Sequence, residues 1–347
     1  MKKVLALALA AAMALSMVAC GSSEPAAPAE PEVTYKTGLG VVVEVAPTNE
    51  DAENEKGASA QVTSTIVAAT FDSNDTIVSI SVDAAQQKAA FDLEGKVAGE
   101  VDLRTKAEKQ FDYNMKAFGG SVAEWFEQVD AFEAWATGKT LSEVTGMEFT
   151  TNSHGYEDTP AAEDLKASCT ISMTAFLTAL QKAYDNAVVT TGVPAKTGLG
   201  VVVDATVADE DAENEKGASA QIDTTIAVVA LDEAGTIVAS QIAVAQQKVA
   251  FDMDGVAGET DLRTKTEKEF DYNMKAFGGS VAEWFEQVNA FETWMNGKTV
   301  ADVTGMEFTT NSHGYEDTPA AEDLKASCTI SMTAFLNAIQ KAADAAK

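Results

Sequence analysis

The chain of 347 residues contains two histidines, His154 and His313, and each stands in the same octapeptide, Thr-Asn-Ser-His-Gly-Tyr-Glu-Asp. A single imidazole without a cysteine pair or a second histidine is too little for a zinc or haem site. A hydrolytic triad can be written from Ser168, His154 and Asp158, but no nucleophile elbow surrounds that serine. Two readings of each histidine stay open: a turn residue lining a ligand pocket, or a structural one. The acidic run Glu50-Asp51-Ala52-Glu53-Asn54-Glu55 returns at 210–215. It lacks the glycine and ligand spacing of a calcium loop and is read as a solvated loop. No metal site and no catalytic set are expected. The densest chemistry lies just downstream, in Asp164-Leu165-Lys166-Ala167-Ser168-Cys169-Thr170 and its twin Asp323-Leu324-Lys325-Ala326-Ser327-Cys328-Thr329. Each copy offers a carboxylate, a thiol and two hydroxyls. The plain reading of Thr170 and Thr329 is a helix N-cap.

The elements that must position these residues are written twice. Thr37 to Val43 returns as Thr197 to Val203, Phe111 to Val129 as Phe270 to Val288, and Thr145 to Leu177 as Thr304 to Leu336. A period of about 160 residues is too long for a solenoid unit, so each copy reads as a domain. The expected layout is domain 1 over 35–187, a linker over 188–195 and domain 2 over 196–347. Val41 to Val45 is a β-branched run. Ala60 to Phe71 and Thr76 to Val82 read as strands around the turn Asp72-Ser73-Asn74-Asp75. Ser121-Val122-Ala123-Glu124 reads as a capping box, opening a helix with Trp125, Phe126, Val129, Phe132 and Trp135 on its apolar face and Gly138 at its end. A last helix is expected from about Thr170. Strands first and helices after give an α+β class, an antiparallel sheet packed with helices in each copy. Cys169 and Cys328 occupy one position of the repeat, so no disulfide can form within a copy. They read as small buried thiols.

The N-terminus is read as an export signal. Lys2 and Lys3 precede the apolar run Val4 to Ala14, which is too short to span a bilayer. The small residues before Cys20 resemble a lipobox, which gives a lipoprotein signal peptide at 1–19 and lipidation at Cys20; the alternative is an ordinary secreted protein cut after Ala19. Residues 20–34, with Pro25, Pro28 and Pro31, read as a stiff, disordered tether that holds the fold off a membrane. The formal net charge of -30 repels phosphate backbones, which argues against nucleic acid as a partner. Acidity of this kind also serves solubility.

An aspartate, five residues and a threonine, followed by an amphipathic helix, resembles the flavinylation motif of the FMN-binding domain family. The wider chain is similar to the two-domain flavinylated lipoproteins of Gram-positive bacteria, including the Tyr113-Asn114-Met115-Lys116 helix and the Trp125 to Trp135 helix. The sequence departs from the family pattern where Ala167 stands at a usual Ser or Thr and Ser168 at a usual Gly. Cys169 is an accepted variant. The resemblance implies two tandem FMN-binding-type domains. It also implies a separate flavin transferase that joins FMN through its phosphate to the hydroxyls of Thr170 and Thr329, with Asp164 and Asp323 as motif aspartates. Ser168, Ser327, Cys169 and Cys328 fall inside the motif. Asn152, His154, Tyr156 and Asp158, with Asn311, His313 and Tyr315, become pocket candidates. A threonine at a helix start would place the phosphoester among free N–H groups and the positive end of the dipole. The implied protein is an electron-transfer flavoprotein rather than a stand-alone enzyme. It would pass electrons from a membrane quinol-side donor to external acceptors such as ferric complexes or soluble flavins. Two flavins could exchange electrons if the domains pack with their sites facing. The competing reading is a cofactor-free ligand-binding or adhesive envelope lipoprotein. Related lipoproteins release pheromone peptides from their leaders, and nothing in Ala6 to Ala19 compels that here.

Overall fold

The computed structural model of the protein describes residues 33–119, 121–278 and 280–347. The segments read as a signal peptide and, up to residue 32, as a tether, with Cys20 between them, lie outside the described residues. Among the described residues, no helix is long and apolar enough to cross a membrane.

Each repeat builds the same elements. In the first, β1 (Lys36–Thr48), β2 (Ser59–Phe71) and β3 (Ile77–Ala90) form an antiparallel meander. Then come α1 (Lys106–Lys109), α2 (Met115–Gly119), α3 (Trp125–Ala136), α4 (Leu141–Thr145), the small ladder of β4 (Phe149–Thr150) with β5 (Thr159–Pro160), and α5 (Thr174–Asp185). Val188–Val189 form β6, which adds to the edge of β1. The second repeat follows with β7 (Lys196–Ala208), β8 (Ser219–Leu231), β9 (Ile237–Ala250), α6 (Lys265–Lys268), α7 (Met274–Gly278), α8 (Trp284–Met295), α9 (Val300–Thr304), β10 (Phe308–Thr309), β11 (Thr318–Pro319) and α10 (Thr333–Asp344). The class is α+β: antiparallel sheets packed against helices.

Strand alternation sets the layers. The inward-facing residues of β1 and β2, including Leu39, Val41, Val62, Ile66 and Ala68, meet Val201, Val203, Ile222, Ile226 and Val228 of the second sheet in one shared core. The opposite face of β2, carrying Val67, Ala69 and Phe71, packs under Trp125, Phe132, Phe176 and Leu180 of the helices. The second sheet repeats this with its own helices. The two sheets therefore lie back to back with helices outside, and Val33–Lys347 is one compact unit. Both helix-bearing faces, and the sites they carry, point away from each other. The condition for exchange between the two sites, that they face each other, is not met, because the apolar inner faces of the sheets claim the contact.

The loops after β1 and β7 cross to the other repeat. The Glu50 N–H donates to the Gly255 carbonyl at 3.0 Å, and the Glu210 N–H to the Gly95 carbonyl at 2.8 Å. The acidic runs, expected as free solvated loops, thus help join the halves. Lys182 pairs with Glu267 and Lys341 with Glu108, each at 2.6 Å. Thr37, Thr70 and Thr197 form a buried chain of hydroxyls, each step 2.8 Å.

One carboxylate per half points inward beside this joint, Glu133 buried and Glu292 half-buried. Glu133 accepts the Val82 N–H at 2.7 Å and also holds the Lys347 ammonium. Its twin Glu292 accepts the Ile242 N–H at 2.6 Å, and among the described residues it has no cationic partner. Burial pushes Glu292 up to about 8, from 4.5 in the unfolded chain. Between those values the folded chain binds the extra proton, so this group makes stability fall as pH rises across the window. Glu292→Gln should flatten that slope. Above pH 8 it should raise stability by on the order of 2–4 kcal/mol, with little change near pH 4.5. Urea unfolding across the window reads both.

Three local expectations are corrected. The strands run longer than the β-branched segments, and β3 continues through Ala84-Ala85-Gln86-Gln87 to Ala90. The stretch Tyr113 to Lys116 is not one helix, since Asn114 takes a left-handed conformation at φ 59° between a 3-10 turn and α2. The cap of α3 is Glu124 with Glu127, not Ser121 with Glu124.

Candidate functional site

Thr170 does not begin a helix. The last helix of the first half starts at Thr174, and its N-terminus is capped from a distance. The Asp158 carboxylate accepts the Thr174 N–H at 3.1 Å and the Ser172 hydroxyl. Burial works against the charge of Asp158, but these hydrogen bonds outweigh it and hold the carboxyl below its usual range. The positive end of the α5 dipole is thus already taken by an acid. The N-cap reading of Thr170 is overturned, and a phosphate on Thr170 would not sit at the positive end of α5. Thr329 stands in the same relation to α10 and Asp317.

What positions Thr170 is Gln128, which sits fully buried in α3. The Thr170 N–H donates to Gln128 Oε1 at 2.8 Å, and the Thr170 hydroxyl donates to the same oxygen at 3.2 Å. The Gln128 amide is fixed in turn, donating to Ser121 Oγ at 2.7 Å and to the Ala123 carbonyl at 2.9 Å. Asn152 Nδ2 donates to the Thr170 carbonyl at 2.9 Å. Asn152 Oδ1 accepts the N–H groups of His154 and Tyr156, closing the turn that carries both rings. In the second half Gln287, Asn311, His313 and Tyr315 repeat this around Thr329, with Gln287 Oε1 2.8 Å from the Thr329 nitrogen.

The half-buried Thr170 lies between two hollows. The larger, about 1100 Å³, runs over the helix face of the sheet between Thr63, Thr65 and Gln86 and the rings of Tyr113, Trp125 and Phe176. His154 and Tyr156 stand at its edge. The smaller, about 380 Å³, is lined by Ser121, Asn152, His154 and Lys166. Ser280, Asn311, His313, Lys325 and Thr329 line its counterpart of about 390 Å³. The larger hollow reaches the upper end of ordinary ligand-pocket size.

The remaining candidates stand elsewhere. Asp164, exposed, accepts the Trp135 indole N–H at 2.9 Å, which ties the 161–169 segment to α3. Asp323 does the same with Trp294. The hydroxyls of Ser168 and Ser327 donate to the carbonyls of Leu165 and Leu324. Ser168 therefore has no hydrogen bond to His154, and Asp158 is committed to the α5 cap, so the three make no triad. Cys169 and Cys328 are free and buried, and burial pushes their thiols up to about 11 and about 12. They are packing residues, as their place in the sequence suggested.

Sequence reasoning missed Gln128 and Gln287. The signal was present: a glutamine on the same helical side as Trp125, Val129 and Phe132 is a polar residue inside an apolar stripe. Gln128→Ala should leave the Thr170 N–H and Ser121 without their shared partner and cost about 1–3 kcal/mol. Gln128→Glu keeps the acceptor but loses the donor to Ser121, and should recover part of this. Chemical denaturation compares the two.

No family model, curated protein or solved structure matches the chain.

Proposed function

We propose that each half holds one FMN, joined through its phosphate to Thr170 or Thr329. In this reading the chain is a lipid-anchored electron carrier outside the cytoplasmic membrane, built from two tandem FMN-binding-type domains. The observation that carries the reading is the setting of the two threonines. In both halves a hydroxyl is held by a buried glutamine at the edge of a polar hollow, and in the first half an aromatic cleft opens on its other side. The donor set fits the group. Ser121, Asn152 and Lys166 would surround a phosphate on Thr170, and Tyr113, Trp125 and Phe176 offer flat apolar surface to a ring system. Once the Thr170 oxygen is esterified it no longer donates, and Gln128 keeps its bond to the Thr170 N–H. Flavin supplies the redox chemistry, and the protein sets orientation and exposure. His154 and Tyr156, exposed at the cleft edge, are where an external acceptor would approach.

The partners implied are a flavin transferase, a membrane quinol-side donor, and acceptors such as ferric complexes or soluble flavins. The outward-facing sites favour exchange with partners over transfer between the two flavins, since two sheet layers about 10 Å apart separate them. The decisive measurement is mass spectrometry of the protein isolated from its native membrane. Two FMN-sized increments, on the peptides holding Thr170 and Thr329, are expected, with flavin fluorescence that survives a denaturing gel. Unmodified peptides and a colourless band would sink the proposal and leave the cofactor-free binding lipoprotein.

A further inference from the structure

Glu133 and Glu292 are equivalent positions with different surroundings, and one shows what the other lacks. Around Glu133 the pocket is lined by Val82, Phe126, Val129 and Leu199, and Lys347 fills part of it, leaving about 190 Å³. The Lys347 ammonium bonds Glu133 Oε2, while Oε1 takes the Val82 N–H. Around Glu292 the matching residues are Ile242, Phe285, Val288 and Leu39. The carboxylate is held in the same way, with Oε1 on the Ile242 N–H. The residue matching Lys347 is Val188, which is drawn into β6 and exposed. No ammonium enters, and the pocket is about 370 Å³.

We infer that the Glu292 pocket binds a small primary alkylammonium, which takes the place that Lys347 occupies in the other half. The walls suit that ligand. Leu39, Val41, Phe285 and Val288 would cover an alkyl arm, and Glu292 Oε2 would receive the charged head. The other charged groups facing the pocket do not compete for it. Lys182 is paired with Glu267 at 2.6 Å and also donates to the Val41 carbonyl at 2.9 Å, and Glu269 lies at the mouth. Two acids near Glu133 are replaced here, Asp83 by Ala243 and Asp130 by Asn289; of the carboxylates in the lining, Glu267 is taken by Lys182 and Glu269 is exposed, which leaves Glu292 as the inward anchor. Burial without a counter-charge agrees with the raised proton affinity of Glu292. An ammonium would supply that charge. The inference is independent of the flavin reading.

The test is a calorimetric titration of the full chain with n-butylammonium chloride at about pH 9, above the value near 8 to which burial pushes Glu292 and below the range where a primary amine loses its proton. One saturable site is expected on the unaltered protein. Glu292→Gln should weaken it at least about tenfold, the loss of one charge-assisted hydrogen bond. Lys347→Ala should open the equivalent pocket at Glu133 and raise the stoichiometry to two. The double variant should return it to one. Tetramethylammonium, which has no N–H to donate, should bind much more weakly than n-butylammonium. Absence of a saturable site, binding that Glu292→Gln leaves intact, or equal binding of tetramethylammonium would each overturn the inference.

Discussion

A chain carrying Thr170→Ala and Thr329→Ala together is expected to hold no covalent flavin, and either single variant is expected to hold half the normal amount. The effect is all or none because the proposed bond has one oxygen per half to use. The structure makes the result interpretable. In the first half the substitution removes a methyl group and one hydrogen bond of 3.2 Å, while the shorter backbone bond to Gln128 stays. The cost to the fold is about 1 kcal/mol or less, so lost flavin reports lost chemistry. Thr170→Ser keeps the oxygen in place and should retain flavin if the transferring enzyme accepts a primary hydroxyl. In-gel fluorescence with peptide mass analysis reads all four proteins. Flavin that persists on the double variant would show that the attachment lies elsewhere.

The second large effect falls on the strand beneath α5. A Cβ on Gly38 would lie 1.8 Å from the Ala183 carbonyl oxygen, and one on Gly40 1.9 Å from that of Ala179. Gly198 and Gly200 meet Ala342 and Ala338 in the same way. The obstacle is helix backbone, so no neighbouring side chain can be trimmed to make room. Gly40→Ala should destabilise by about 3 kcal/mol by forcing the helix off the sheet. The urea midpoint should fall with little change in slope. Gly258→Ala is the control, since its Cβ would meet only the Ala250 carbonyl at 3.6 Å. Similar midpoints for the two variants would contradict the close packing of α5 on β1.

The letters carried more of the fold than of the site. Alternation in Val78, Ile80 and Val82 gave a strand, and the aromatic spacing after Glu124 gave α3. The second half of β3 was silent because alanine, glutamine and lysine are helix formers by propensity. There Ala84 faces the helices and Ala85 the other sheet, and small size between two layers overrides local preference. The start of α5 was misplaced for a related reason. Its cap comes from Asp158, sixteen residues before Thr174, and no local pattern announces a long-range cap. At the site, the threonine and the Asn152-His154-Tyr156 turn were nominated through the family resemblance, which spacing alone does not supply. The role of Asp164 could not, since its partner Trp135 is distant in sequence and was read simply as core.

The joint between the halves has a wider meaning. Its contacts are reciprocal: Glu50 meets Gly255 as Glu210 meets Gly95, and Lys182 meets Glu267 as Lys341 meets Glu108. Such pairing is the mark of an isologous two-fold dimer. Here both protomers are covalently one, so assembly no longer depends on the concentration of the chain. A single half expressed alone would bare its inner sheet face and should self-associate. Fusion also frees the two protomers from identity. A homodimer must place the same residue at both ends of its axis, whereas this chain keeps a lysine at one and a valine at the other.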